Sequence, residues 1–449
     1  MTLTLTYEEA LAYLAQFVNY ERQRHVPYDP EHFDLTAFAA FLDGLGAPHR
    51  AFPSVLIAGS KGKGSTAAMV AAMLSQAGLR TGLFTKPHLV TIRERTQIDR
   101  HLISPEDFAA LVAELQAALE RRGQPPAQRF RTFFELTTAL SFLYFARQHV
   151  DIAVVEVGLG GRLDATNVLT PQVAVLTPIG LEHTHILGTT LPAIAREKAG
   201  IIKHGSRVVS APQAPEVCQV FAETCRQQAA TLQLAGRDFH WQVVEATRQG
   251  SRLHFCGRTL QLDDVHVPLL GRHQATNAAV ALAVVEELRA QGWTLPEAAL
   301  RAGLAGVRWE GRLEVLETSP WVVLDAAHTV ESAQCLRQAL EELFPGAPVH
   351  LVLGMAADKN VEGIVAVLAP LAQQVIATRF HSPRACDLQR LAAAVQAQGR
   401  PVRLAPDPLS ALALARAAAG PGDLVCVTGS LLLIGELKTR LQGLPLEWP

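Results

Sequence analysis

Apolar residues in this chain fall into two alternating patterns. Short runs rich in apolar and β-branched residues, Ser54–Ala58, 81–85, 151–157 and 173–177, end at glycine, proline or a charged or hydroxyl residue. Longer segments, 66–77, 106–122, 132–148 and Leu191–Ala199, carry apolar residues on one helical face or are rich in alanine. A strand buried on both faces reads as a near-continuous apolar run, and a helix lying on a sheet as an amphipathic stripe. The alternation predicts an α/β fold with a mostly parallel sheet built from βαβ units. Segments 7–16 and 35–45 read as two preceding helices. The polar, proline-containing loop 20–34 between them reads equally well as a cover over a ligand or as a surface connection.

The pattern changes at 240–267. Short β-rich runs there are broken at Gln249-Gly250, Cys256-Gly257 and Asp263-Asp264, which predicts an antiparallel meander. Gly271-Arg272-His273-Gln274 then opens a long alanine-rich helix carrying Asn277, and 295–304 reads as another helix. A second βα series follows, with strands expected at 322–325, 350–354, 374–377, Val402–Leu404 and Leu424–Thr428. The expected division is an N-terminal domain over 1–306 and a smaller open α/β domain over 312–449.

Chemistry concentrates where strands end. The first run leads into Gly59-Ser60-Lys61-Gly62-Lys63-Gly64-Ser65-Thr66 and then a helix. Strand, glycine turn and helix form the geometry that holds phosphate: glycines admit the anion to backbone N–H groups, Lys63 neutralises charge, and Ser65 or Thr66 offers a hydroxyl to Mg²⁺. The spacing is not that of the strict P-loop, because Gly64 separates Lys63 from Ser65. Glu156 ends the third run, and a carboxylate there is costly unless paired or bound to metal. It is a candidate Mg²⁺ ligand, with a buried salt bridge as the other reading. Thr132 and Glu135 have capping-box spacing, an adequate structural reason for both. Phe133 and Phe134 read on pattern alone as core, and Lys198 as a solvated lysine. His183 follows a strand end. Asp325 and His328 lie at the ligand edge of the second sheet, as does Thr428-Gly429-Ser430.

Composition narrows the field. Among 449 residues, 49% are hydrophobic and the formal net charge is -2, which gives no reason to expect nucleic acid or an anionic membrane as partner. The 6 cysteines form no CxxC pair and fit neither a zinc site nor a disulfide framework. No apolar run is long enough to span a bilayer, and the first residues lack the order of a secretory signal. A cytoplasmic protein is expected.

Taken together, these motifs resemble the folylpolyglutamate synthase and dihydrofolate synthase branch of the Mur ligase family. The resemblance runs from about Tyr20 to Leu441 and is carried by the glycine turn and by residues 85–88 and 132–135. It continues through Glu156-Val157-Gly158-Leu159-Gly160-Gly161-Arg162-Leu163-Asp164-Ala165-Thr166-Asn167, residues 198–203, His273-Gln274, Asn277 and Gly311-Arg312-Leu313-Glu314, to residues 325–328 and 428–430. The run from Glu156 to Asn167 is the most specific of these.

The resemblance implies ATP-dependent amide synthesis: a substrate carboxylate is phosphorylated and the amine of L-glutamate displaces phosphate. It implies ATP and Mg²⁺, a folate or dihydropteroate as acceptor, and a monomer. It places Gly59, Ser60, Lys61, Gly62, Lys63, Gly64, Ser65, Asn277, Arg312 and Asp325 on ATP. Ser65, Glu156, His183 and a carbamylated Lys198 would hold metal, and Lys63, Lys198 and His328 would serve catalysis. Thr132, Phe133, Phe134, Glu135, Leu163, Asp164 and Ala165 would form the pterin side.

The departures matter too. Where the family turn reads Gly-Thr-Asn-Gly-Lys-Gly-Ser, this chain has Ser60 and Lys61. Lys86 replaces a serine that ligates Mg²⁺, and a charged ammonium cannot. Glu182 replaces an aspartate, and Ala326 and Thr329 replace a glycine and an asparagine. The expectation is that Lys61 and Lys86 partly substitute for metal charge. The other readings are a Mur-type ligase for a different carboxylate and a nucleotide-binding module without catalysis. Retention of Lys63, Glu156, His183, Lys198, Arg312, Asp325 and His328 argues against the last.

Overall fold

A computed structural model describes residues 4–21, 28–30, 32–121 and 131–447. Residues 22–27 and 31 of the expected loop, and position 122 of an expected helix, lie outside the described residues.

The first half is built on eight strands: β1 (Ser54–Ala58), β2 (Thr81–Phe84), β3 (Thr96–Ile98), β4 (His101–Leu102), β5 (Ile152–Glu156), β6 (Val173–Leu176), β7 (Arg207–Ser210) and β8 (Thr231–Leu234). They lie in the order β4-β3-β2-β5-β1-β6-β7-β8. All pairs from β2 to β8 are parallel, and β3 and β4 add an antiparallel edge. β1 and β2, expected to form one βαβ unit, are not neighbours, because β5 inserts between them. Strand direction was legible from the apolar runs; adjacency depends on a strand far along the chain.

Burial shows why the runs are continuous. Leu56, Val155 and Leu176 face one core with the helices Tyr7–Leu14, Leu35–Asp43 and Phe133–Arg147. Val55, Ile57, Val154 and Val175 face a second core, filled by the helices Lys63–Gln76 and Arg272–Arg289 and by the meander. Alternate residues point to opposite faces, so both sets must be apolar. The meander is a separate antiparallel sheet of β9 (His240–Thr247), β10 (Gly250–Cys256) and β11 (Gln261–Val267). Asp263-Asp264 is no turn. It lies inside β11 beside a register shift, with Asp264 at φ 55, and the real turn precedes Gln261. Residues 201–203, expected to continue the strand alternation, form no strand either.

The helix Glu297–Ala305 crosses the Lys63–Gln76 helix at close range. A Cβ on Gly303 would lie 2.5 Å from Met73 Cα, so only glycine permits this approach.

The second half is a six-stranded sheet of β12 (Glu314–Thr318), β13 (Trp321–Leu324), β14 (Val349–Leu353), β15 (Ala372–Ala377), β16 (Val402–Leu404) and β17 (Leu424–Thr428). Its order is β12-β13-β17-β14-β15-β16, parallel except for β12. β12 was not expected, because its Glu314, Glu317 and Thr318 break the apolar pattern. Leu351 and Cys426 face one core, Val352 and Val427 the other. Leu89 and Val90 of the first half pack into the latter core. Arg248 of the meander lies 4.9 Å from the ring centroids of both Trp321 and Phe344, and its Nε donates to the Leu343 carbonyl at 2.7 Å. Among the described residues, no helix is long and apolar enough to cross a membrane.

Candidate active site

A cavity of about 1610 Å³ opens at the C-terminal ends of β1 and β5 and is lined by both halves of the chain. Its floor is the turn after β1. Gly62 sits at φ 82, and a Cβ there would lie 2.4 Å from Asn277 Oδ1. A Cβ on Gly59 would overlap Thr177 Oγ1, and one on Gly64 would lie 2.7 Å from Trp309 Cζ2 and 3.2 Å from Glu156 Oε2. Gly59 and Gly62 also need glycine for their backbone, at φ 150 and 82, and Gly64 leaves room for the Trp309 ring. The helix begins at Lys63, three residues earlier than the pattern indicated, and Gly62 gives its N-terminus no side-chain cap. Its first N–H groups are left for an anion in the cavity.

Charged side chains surround this turn. Lys63 Nζ donates to the Gly59 carbonyl at 3.2 Å and lies 3.8 Å from Glu156 Oε1. Glu156 is 5% exposed, and its Oε2 accepts the Lys86 N–H at 3.3 Å. Burial raises its pKa against the pull of Lys63 and Lys86. Lys198 is 5% exposed rather than solvated, and its Nζ donates to the Gly59 carbonyl at 2.8 Å. Desolvation, reinforced by Lys63 and Lys86, brings its pKa down to about 7. Lys61 Nζ lies 3.4 Å from Glu182 Oε2. Burial alone would raise the Glu182 carboxyl, but Lys61 and then Lys63 hold it well below the usual range. Glu182 thus offsets part of the positive charge that Lys61 brings to the turn.

Magnesium takes oxygen donors and needs few from protein when phosphates supply the rest. Glu156, a buried carboxylate only partly compensated by its neighbours, fits that role, and Ser65 lines the same floor. Among the described residues no group of three or more His, Cys, Asp and Glu side chains is placed to hold a metal, so an all-protein cage is not present. His183 lines the cavity beside Glu182, 3.7 Å from Nε2 to Oε1, and desolvation lowers its pKa, leaving a neutral ring suited to a metal. The unmodified Lys198 ammonium has no lone pair to offer.

The second half contributes Arg312, Asp325 and His328 to the cavity. Asp325 Oδ2 accepts the Leu313 N–H and Oδ1 the Ala327 N–H, both at 2.9 Å, which fixes the carboxylate plane. His328 Nδ1 lies 2.8 Å from the Ala326 carbonyl, so this nitrogen carries the proton and Nε2 keeps its lone pair. Burial, with Lys61 nearby, lowers its pKa to about 4. Asn277 Nδ2 donates to Gln274 Oε1 at 3.0 Å, which turns its Oδ1 toward Gly62.

The pterin-side candidates divide. Thr132, Phe134, Glu135, Leu163, Asp164 and Ala165 line the cavity. Phe133 does not. It is 7% exposed in the first core, with Arg95 5.2 Å from its ring centroid, because successive helix positions point in different directions. Asp164 is buried and raised by desolvation, opposed by the Thr166 hydroxyl and the Leu159 N–H. Trp309 and Tyr28 were missed by sequence reasoning. A Cβ on Gly160 would lie 2.3 Å from the Tyr28 hydroxyl oxygen. Trp309 stands just before Gly311-Arg312, the one local signal that marked its importance.

Comparison with known proteins agrees with this geometry. The Mur ligase middle domain matches residues 57–285, and the Mur ligase glutamate ligase domain matches 311–431. The dihydrofolate synthase/folylpolyglutamate synthase of Bacillus subtilis is 34% identical over 409 residues, covering 89% of this chain and 92% of the relative. Mycobacterium tuberculosis folylpolyglutamate synthase complexed with ADP superposes with a TM-score of 0.86 at 35% identity, over 97% of this chain and 98% of that one. Escherichia coli FolC in complex with DHPP and ADP gives 0.84 at 28% identity, over 98% of each. The chain belongs to the Mur ligase family, in its dihydrofolate synthase/folylpolyglutamate synthase branch.

Proposed function

We propose that this protein joins L-glutamate to a folate at the expense of ATP, with the triphosphate on the Gly59-to-Ser65 turn. The observation that carries the reading is the meeting, in one cavity, of an uncapped helix N-terminus and Lys63 from the first half with Arg312, Asp325 and His328 from the second. The ADP-bound M. tuberculosis relative supports the nucleotide. ATP binding is assigned to residues 1–306, and residues 312–449 close over it.

Two anions must react, so their repulsion has to be screened. Lys63 and the helix N–H groups serve the phosphates, Arg312 approaches from the other half, and Asn277 and the fixed Asp325 carboxylate orient the nucleotide. Mg²⁺, held by Glu156 and Ser65 with His183 nearby, would add charge neutralisation at the same place. A folate carboxylate oxygen attacks the γ-phosphorus, and the bond to the β-phosphate oxygen breaks, releasing ADP. The glutamate nitrogen then attacks the acyl carbon, the carbon–oxygen bond to phosphate breaks, and the nitrogen gives up a proton. His328, which lines the cavity and keeps a lone pair on Nε2, is the group we assign to accept it. Enclosure between the two halves keeps water from the reactive acyl group.

Thr132, Phe134, Glu135, Leu163, Asp164 and Ala165 are assigned to the pterin side, which also suits dihydropteroate. The six cysteines are all free thiols, consistent with a reducing, cytoplasmic setting, and we take the active unit to be a monomer. Phosphate release is to be measured with tetrahydrofolate, dihydropteroate or a cell-wall precursor, each with several amino acids. Release that needs both a pterin substrate and L-glutamate is expected. Release only with the cell-wall precursor, or with none of the three, would reject the assignment.

A further inference from the structure

The turn joining the two halves is held in an unusual way. Trp309 lies against the phosphate turn, with its Cζ2 2.7 Å from where a Gly64 Cβ would be. One residue on, Glu310 Oε2 is 2.5 Å from Lys438 Nζ, and Glu314 Oε1 is also 2.5 Å from it. Glu314 Oε2 accepts the Gly311 N–H at 2.7 Å, and the Gly311 carbonyl accepts the Ala326 N–H at 3.0 Å. Gly311 and Leu313 sit at φ 68 and 46, a tight reversal. Leu313 is buried, and its N–H is taken by Asp325.

Arg312 is the member of this turn whose side chain is left over. Among the described residues its guanidinium has neither a hydrogen bond nor an ion pair, and it lines the cavity. Its charge is felt at Lys61, Glu156 and Asp325. The ammonium that pins the turn belongs to the last helix, Leu431–Leu441, and is 6% exposed between two carboxylates.

We propose that Lys438 is a positioning residue for the ligase reaction. By holding Glu310 and Glu314 together it sets the 309–314 turn so that Arg312 points at the nucleotide phosphates. Lys438 lies outside the cavity lining and acts through Arg312. Removing its charge frees Glu310, which is 59% exposed and can be hydrated, and the Oε1 of Glu314, which is 20% exposed and stays anchored through Oε2 to the Gly311 N–H. A Lys438→Met chain should therefore fold.

The inference rests on placing the nucleotide at the phosphate turn. The test is a double-mutant cycle on ADP affinity by calorimetry, with Lys438→Met, Arg312→Ala and the pair, and Lys438→Arg as the conservative variant. Steady-state kinetics accompany it. Lys438→Met is expected to weaken ADP about tenfold and to lower kcat/KM for ATP by at least as much. KM for folate and for L-glutamate should stay within about twofold, and Lys438→Arg should recover most of the loss. The double variant should bind ADP no worse than Arg312→Ala alone, within about twofold. Losses that multiply, or a Lys438→Met protein that binds ADP like the wild type and is merely less heat-stable, overturn the proposal. If wild-type protein binds ADP but turns over no folate, the functional reading fails while the cycle still decides this one. Wild-type protein that binds no ADP overturns both.

Discussion

Four lysines surround the glycine turn, and their partners overlap only in part. Lys63 and Lys198 share the Gly59 carbonyl, and Lys61 faces Glu182. The Lys86 charge bears on Glu156, Asp164, His183 and Lys198, so it occupies the region where a divalent cation is expected. A unit charge several ångströms from a cation in this partly screened setting repels it by a few kcal/mol at most. Lys86→Ser should therefore lower the Mg²⁺ concentration for half-maximal ATP turnover by about tenfold. Calorimetric Mg²⁺ titration with a non-hydrolysable nucleotide present should move the same way, and coincident curves for the two proteins would refute the charge-replacement idea. The glycine–lysine turn was legible in the sequence because its chemistry is local. The burial of Lys198 was not, since the spacing of a helix does not reveal which loop will cover it.

At the scale of elements, the helix Phe133–Arg147 shows what local pattern can and cannot decide. Thr132 Oγ1 accepts the Glu135 N–H at 3.1 Å and Glu135 Oε2 accepts the Thr132 N–H at 2.7 Å, a reciprocal cap that the spacing announced. Thr132→Ala should destabilise the protein by about 1 kcal/mol in urea unfolding, through loss of that cap. A midpoint equal to wild type would mean that the cap contributes nothing. The same helix separates Phe134 in the cavity from Phe133 in the core, a division that depends on where neighbouring elements lie. The doubly buried strands were legible for the opposite reason. Burial on both faces writes itself along β1, β5 and β6, whereas short edge strands such as β3 and β4 and the polar β12 leave little trace.

Across the whole molecule, the cavity exists because two separately cored sheets are held together at specific points. Arg248 is one of them, sandwiched on Trp321 and Phe344. Arg272 pairs with Glu342 at 2.6 Å, and the Tyr7 hydroxyl and the Ile92 N–H both meet Glu447, at 2.9 and 2.8 Å. Arg248→Ala should cost about 1–2 kcal/mol, from the lost stacking and hydrogen bond. It should speed amide exchange at 321–324 and 340–344 while leaving the Lys63–Gln76 helix unchanged. Exchange that rises equally in both places would instead indicate general loosening. None of these contacts was legible in the sequence, because each joins residues far apart in the chain and none belongs to a periodic pattern.

Gly303 brings the Glu297–Ala305 helix against the backbone of the Lys63–Gln76 helix with no side chain between them. The helix to which the phosphates are assigned is therefore braced by a direct backbone contact. It acts as an anvil. On the proposed function, any shortening of the gap between reacting groups is then left to the opposite half and to the 309–314 turn. On that same function, the precision of the meeting is set by how that turn is clamped, and a bulkier residue at position 303 would push on the Lys63–Gln76 helix from its own side of the sheet without touching a substrate.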